Sequence, residues 1–269
     1  MLIKDRVALV TGAGRGIGQA IAQLFVEEGA CVIVNDLEPD VAAQTVTLCE
    51  QIRPDSAQAS IGSVADAAYT AKLMKSAVDR FGKLDILINN AGMTRDAMAH
   101  RMSSEDWQSV IDVNLTGTFN CIRAATPYLR DVAKAELEET GQVSYHRKIV
   151  NFYSTAAING NIGQLNYVAA KMGNLGISRT LAREWARFRI NVNTVAPGFT
   201  DTRLTQAKEQ GDGTLGIPNA QRQRFIDNLP FGQPASAMDV ARVVLFFASP
   251  LSDWVTGQEL NTSGGHQIP

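Results

Sequence analysis

Residues Arg6–Gly29 read "RVALVTGAGRGIGQAIAQLFVEEG", and three local signals follow one another there without a gap. "RVALV" (Arg6–Val10) is a short, nearly continuous apolar run, the mark of a strand covered on both faces. "TGAGRGIG" (Thr11–Gly18) then turns the chain, and "IGQAIAQLFVEEG" carries helical periodicity. Glycines let a backbone turn tightly and approach a pyrophosphate, whose charge sits well at a helix N-terminus. Gly12, Gly16 and Gly18 are spaced G-x-x-x-G-x-G, not the commoner G-x-G-x-x-G. Glycines also serve simple strand-to-helix turns, so the flanking strand and helix are what make this a dinucleotide signal.

The same alternation continues along the chain. Further β-branched runs lie at "CVIVN" (Cys31–Asn35), "LDILIN" (Leu84–Asn89), "KIVNF" (Lys148–Phe152) and "INVNTVA" (Ile190–Ala196), with weaker strands expected near Ala57–Ile61 and Gly257–Asn261. Helical stretches fall between them at Val41–Ile52, Asp66–Phe81 and "NYVAAKMGNLGISRTLAREWA". Repeated βα units predict an α/β fold, a Rossmann-type doubly wound parallel sheet with helices on both faces, in a single domain over residues 1–269. Two segments exceed what such a fold needs. Asp131–Arg147, "DVAKAELEETGQVSYHR", reads as a solvated helix extension with a loop. Residues 199–236 form a long connection of the kind that serves as a lid or binding loop.

The chain has 269 residues, 45% hydrophobic and 19% charged, with a net charge of −2, which gives no reason to expect nucleic acid or an anionic membrane as partner. No apolar run reaches the roughly 18 residues of a membrane span, and a signal peptide is not expected. A cytoplasmic location is the default. Cys31, Cys49 and Cys121 form no CxxC pair, and His100, His146 and His266 show no ligand spacing, so no metal site is expected.

Asp36 closes the second strand, where a carboxylate can accept hydrogen bonds from adenosine ribose hydroxyls and repel a 2′-phosphate. It could instead serve as a helix cap or turn residue. Arg15, inside the glycine turn, could pair with that phosphate or stay solvated. Burying a carboxylate beside a phosphate costs more than leaving an arginine in water, so NAD(H) is favoured and NADP(H) remains possible. In "NYVAAK" (Asn166–Lys171), Tyr167 and Lys171 stand four apart and share a helix face. A nearby cation favours the phenolate and would lower the tyrosine pKa, making it a usable acid or base. Such pairs also occur by chance on surface helices.

With "TGAGRGIG", "NNAG" (Asn89–Gly92), "NYVAAK" and "NVNTVAPG" (Asn191–Gly198) in order, the chain resembles the short-chain dehydrogenases/reductases over nearly its whole length. "NNAGMTRDAMAHRMSSEDW" and "NVNTVAPGF" are most similar to the 3-oxoacyl-[acyl-carrier-protein] reductases. The resemblance implies reversible hydride transfer between a nicotinamide and a carbinol carbon, usually in a homotetramer (or a dimer). It places catalysis on Asn114, Ser154, Tyr167 and Lys171. Taken alone, Ser154 would be a loop or cap residue and Asn114 would satisfy backbone in a bent helix. It also implies cofactor contacts from Gly12, Arg15, Gly16, Ile17, Gly18 and Asp36, and from Asn90, Ala91 and Gly92 on the ribose side. Pro197, Gly198, Thr200 and Thr202 would hold and cover the nicotinamide, with Tyr167 and Lys171 beneath. Ser63 and Val64 stand where the family often has an acid near adenine, and Tyr145 and Phe188 stand near its basic carrier-protein contacts.

The leading expectation is an NAD(P)-dependent reductase of a 3-oxoacyl thioester or a similar β-oxo compound. Oxidation of another secondary alcohol, cyclic or steroid-like, is the alternative. A non-catalytic nucleotide-binding protein and a sugar-nucleotide epimerase or dehydratase fit less well. The long loop is expected to close over ligand, with Leu204, Phe225 and Leu229 as an apolar wall or simply as core.

Overall fold

A computed structural model describes residues 1–203, 205–210 and 216–266. Among them seven strands, β1 Val7–Thr11, β2 Cys31–Asp36, β3 Ala57–Ile61, β4 Ile86–Asn89, β5 Arg147–Phe152, β6 Ile190–Pro197 and β7 Glu259–Thr262, form one sheet. Its order is β3-β2-β1-β4-β5-β6-β7, and every pairing is parallel. Leu9 of β1 lies opposite Ile33 of β2 on one side and Leu87 of β4 on the other. The winding reverses between β1 and β4, which opens a crevice beyond the carboxyl ends of those strands.

The helices are α1 Gly16–Glu27, α2 Pro39–Ile52, α3 Ala67–Phe81, α4 Ser104–Ile111, α5 Gly117–Thr126, α6 Val132–Thr140, α7 Ala156–Asn159, α8 Leu165–Trp185, α9 Asn219–Asp227 and α10 Ala237–Ala248. Successive strand residues point to opposite faces, and the two cores follow that alternation. Ala8, Val10, Val32, Val34 and Ile88 meet α1, α2 and α10. Val7, Leu9, Ile33, Leu87 and Ile149 meet α3, α5 and α8. Burying a side chain of this size stabilises by about 1.5–3 kcal/mol, and polar residues inside the inner strands, such as Asn151, Asn191 and Asn193, are buried with hydrogen-bond partners.

Helix starts are set by local chemistry. Asp66 accepts hydrogen bonds from the Ala68 and Tyr69 amides at the head of α3, and Gly82 ends it in a left-handed conformation. Ser236 and Asp239 form a reciprocal capping box on α10. The last strand starts two residues later than the sequence suggests. Gly257 adopts φ +71 and donates its N–H to Val192, so it turns the chain instead of extending it.

Residues 104–130 are helical although periodicity marks no element there, and with α6 they make up the stretch 104–140. They form a nearly continuous helical run interrupted by π-helical turns at Asp112–Thr116 and Pro127–Asp131. Pro127 lacks the N–H that an α-helix needs there. Each widened turn rotates the apolar face, so a steady 3.6-residue period does not survive across the run. The 131–147 segment is a helix, α6, followed by a loop, as expected. It is solvated on one side only: Ala133 and Val143 are buried, and Glu136 accepts from Arg147 Nη2 at 2.5 Å and from the Ser144 hydroxyl at 2.9 Å.

Candidate active site

The glycine turn sits at the mouth of the crevice. Gly16 has φ +54, open to glycine at little cost. At Gly18 an added Cβ would lie 2.3 Å from the Gly12 carbonyl oxygen, so the start of α1 presses directly onto the turn. Asn90 fastens it: its Nδ2 donates to the carbonyls of Thr11 (2.9 Å) and Gly12 (3.0 Å), while the Thr11 hydroxyl oxygen accepts from the Asn90 and Ala91 amides. No side chain caps α1, and Ile17 packs partly buried behind the turn. The first-turn amides of α1 therefore keep the anion-attracting end of the helix free. A Cβ placed on Gly16 would meet Thr202 at 3.5 Å, so the turn faces the loop that follows β6.

Asp36 ends β2 and is held rigidly. One carboxylate oxygen accepts from the Gly14 amide at 2.9 Å, the other from Leu37 at 2.8 Å and Glu38 at 3.2 Å. Arg15 makes its hydrogen bonds to Glu38 and not to Asp36, although the Asp36 carboxylate is near enough to add to the rise in the arginine pKa. Its two terminal nitrogens donate in parallel to Glu38 at 2.5 and 2.6 Å. That pairing raises the arginine pKa and lowers the glutamate's, with Arg203 adding to the latter. Glu38 escaped the sequence reading; its signal was an acid two residues beyond Asp36 and near the guanidinium.

Ser63 follows β3 and accepts from the Ala65 amide at 3.2 Å. The Val64 side chain is buried against Gly117 in the core, which leaves only its main chain for the crevice.

At the other end, four side chains come together. Ser154 follows β5. Tyr167 lies in the first turn of α8, which Asn166 anchors by donating to the carbonyls of Arg95 (3.0 Å) and Asp106 (3.1 Å). Lys171, one turn on, is buried, with Nζ 5.5 Å from the Tyr167 ring centre and 3.4 Å from the Phe152 carbonyl oxygen. Asn114 sits on the π-helical turn and donates to Met93 (2.8 Å) and Val110 (2.9 Å). Its Oδ1 is buried without a partner among the described residues. A Cβ on Gly92 would meet that Oδ1 at 2.7 Å and Lys171 Nζ at 3.3 Å, so both side chains end over one glycine.

The electrostatics depart from the sequence expectation. Burial pushes Tyr167 above the ordinary phenol range, and its hydrogen bond with Ser154 pulls the other way. Lys171 does not depress the phenol here. Burial drives the lysine itself down to about 8, because it trades water for one long hydrogen bond.

The loop after β6 packs on the same opening. The Gly198 amide donates to Thr262 at 3.3 Å, and the buried Thr200 donates its hydroxyl proton to the Gly198 carbonyl at 3.1 Å. Pro197 ends β6, and the Thr202 amide donates to the Thr205 hydroxyl at 3.0 Å. Arg222 of α9 reaches back to Asp201 at 3.0 Å and to the Thr205 carbonyl at 3.2 Å. Phe225 stacks on Phe199 at 5.4 Å, Leu229 is buried, and Leu204 lies outside the described residues. Tyr145 and Phe188 are engaged within the chain. Tyr145 donates to buried Asp85 at 2.5 Å with Arg6 3.7 Å above its ring, and Phe188 is core.

From Asp36 past an uncapped helix start to Lys171, the crevice presents a carboxylate, a helix N-terminus and a buried amine. That set fits a nicotinamide dinucleotide. A sequence model of the short chain dehydrogenase family matches residues 6–213. The chain belongs to that family. This short-chain dehydrogenase/reductase is accordingly an oxidoreductase that uses a nicotinamide cofactor. It is 37% identical over 265 residues to the 3-oxoacyl-[acyl-carrier-protein] reductase of Thermotoga maritima, covering 98% of this chain and 99% of that one. The reductases of the same name from Staphylococcus aureus and a Synechocystis species are each 38% identical over 261 residues, covering 96% of those chains and 96–97% of this one. Among the described residues no helix is long and apolar enough to cross a membrane.

Proposed function

We propose that this enzyme interconverts a 3-oxoacyl thioester, or a closely similar β-oxo compound, and its secondary alcohol, with NAD(H). The reading is carried by Asn114, Ser154, Tyr167 and Lys171 meeting at one end of a dinucleotide crevice; the substrate class comes from the names of the relatives. When bound, the nicotinamide supplies or accepts the hydride. Ser154 donates a hydrogen bond to the substrate carbonyl oxygen, fixing and polarising it. Tyr167 protonates that oxygen as it becomes an alkoxide, and a phenol held protonated by burial suits this direction. Lys171 holds the ribose next to the nicotinamide and sustains the charge near Tyr167. The unpartnered Asn114 Oδ1 receives the water through which protons reach Lys171.

Asp36 supports NAD(H), and Arg15, already paired with Glu38, is not offered to a 2′-phosphate. The same carboxylate favours, as a second reading, oxidation of another secondary alcohol. We further propose that the described parts of the 199–236 loop close over the ligands, residues 204 and 211–215 lying outside the described residues, and that the chain assembles as a homotetramer. The groove between α5 and α8 supports assembly, with Phe119 half exposed beside Ile122, Ile177 and Leu181. The deciding experiment follows reduced-nicotinamide absorbance with short 3-oxoacyl thioesters, cyclic ketones and their alcohols, using both cofactors. Turnover of cyclic ketones alone would displace the thioester reading.

A further inference from the structure

Asn174 stands one turn beyond Lys171 on α8, buried, where an outward-facing or apolar residue would continue the helix without cost. Its Nδ2 donates to two main-chain carbonyls that belong to different parts of the site. One is Asn114, at 3.0 Å, on the π-helical turn. The other is Phe152, at 3.1 Å, at the end of β5 and two residues before Ser154. The Phe152 oxygen is also the acceptor for Lys171 Nζ. A π-helical turn shifts the backbone hydrogen-bond pattern and leaves carbonyls in need of new donors. Asn174 supplies one of them, and Thr118 supplies the second from its hydroxyl at 3.2 Å. The approach is close: a Cβ on the neighbouring Gly173 would lie 2.7 Å from the Leu115 side chain. Beneath it, the Ser178 hydroxyl donates to the Asn174 carbonyl and accepts from Asn151, both at 2.8 Å, so the helix is tied to β5 one turn below the site as well.

We propose that Asn174 is a positioning residue that sets Asn114, Lys171 and Ser154 in mutual register through these two carbonyls. It touches no reactant. It fixes the distance between the widened turn, the lysine's acceptor and the strand that carries the serine. This rests on the catalytic reading above, because the register matters only if those groups act together.

Asn174→Leu tests it. The replacement keeps the same branched skeleton and heavy-atom count, and each carbonyl keeps another donor, Thr118 or Lys171, so folding should change little while the register loosens. A misplacement of the order of 1 Å can cost about 100-fold in rate. We expect kcat to fall about 10- to 100-fold, with the dissociation constant for NADH, read by fluorescence titration, within threefold and the thermal midpoint nearly unchanged. Asn174→Asp, neutral when buried and able to donate to one carbonyl, should fall between. Ser178→Ala is the control, since it loosens the same helix away from the reacting groups and should leave kcat near wild type. Asn174→Leu with wild-type kcat overturns the proposal. So does a loss matched by Ser178→Ala or tracking the thermal midpoint, and so does failure of both Asn174 variants to fold, since each assigns a purely structural role. Tyr167→Phe run alongside separates the levels: if it stays active, the catalytic reading itself has failed.

Discussion

Replacing Lys171 with methionine should stabilise the protein while crippling it. The side chain is buried, its one hydrogen bond is 3.4 Å long, and its pKa falls from 10.5 to about 8 through burial alone. At about 1.4 kcal/mol per unit, that shift amounts to roughly 3 kcal/mol by which the folded state disfavours the charged form. The sign follows from proton binding. Below pH 8 both folded and unfolded states hold the proton and the full penalty applies. Between about 8 and 10.5 the unfolded state binds more protons, so wild-type stability rises with pH; above 10.5 the penalty has gone. Methionine has similar length and no charge, and the Phe152 carbonyl keeps Asn174 as donor. Lys171→Met should therefore gain about 2–3 kcal/mol near neutral pH, a shift on the order of 1 M in urea midpoint, and the gain should vanish at high pH. The assay is urea unfolding of both proteins without cofactor, at equal protein concentration, from pH 7 to 10.5. An unchanged or lower midpoint at pH 7, or a gain that does not depend on pH, refutes the picture of a buried, poorly solvated ammonium.

Tyr167→Phe should lower kcat by about 10²–10⁴-fold, the usual contribution of a general acid, with NADH affinity largely kept; steady-state kinetics with a fluorescence titration checks both. Reduction should slow as pH rises through the titration of Lys171 near 8 and of the higher phenol, because each loses the proton it must hold or deliver, whereas oxidation should quicken; pH profiles of kcat in the two directions test the sign. Glu38→Gln should free Arg15 and narrow the NAD(H) preference several-fold, measured by calorimetry with 2′-AMP and 5′-AMP as well as by kcat/KM. Adding Arg15→Ala should undo that effect. A wild-type preference for NADP(H) would reverse the ranking. Hydrogen exchange should show residues 216–229 better protected with cofactor bound than without; equal protection in both states would argue against a lid.

The sheet was legible because its information is local. The five inner strands carry short apolar runs that two-sided burial makes recognisable, whereas the edge strands β3 (AQASI) and β7 (ELNT) are more polar and give the weaker signals. Tyr167 and Lys171 were legible for a similar reason, since four residues on a helix guarantee a shared face. Asn114 could be placed only through resemblance. Its position depends on a π-helical turn, and no periodicity in "DVNLTG" announces one. Glu38 and Asn174 were invisible because their roles lie in partners distant along the chain, Arg15 for one and Asn114 with Phe152 for the other. Val64 shows the converse. A position can match a family contact while its side chain is committed to the core.

The expectation that Lys171 lowers the Tyr167 pKa fails for a reason that bears on function. It treats the lysine as a charge in water, yet both groups lie behind the same protein wall. Burial raises the phenol and lowers the ammonium, so each is moved toward its neutral form. When the phenol gives up its proton to substrate, the phenolate left behind needs a nearby positive charge or hydrogen-bond donors, and both groups await polar atoms beyond the few that the chain provides. Asn114 Oδ1 is unpartnered beside the lysine, above a glycine that leaves them room. A polypeptide selected only for stability would fill that space or remove the charge. Keeping it open, at a cost of a few kcal/mol, makes sense when ribose hydroxyls, water and a carbonyl oxygen arrive to satisfy these groups, so that ligand binding relieves a cost already built into the fold.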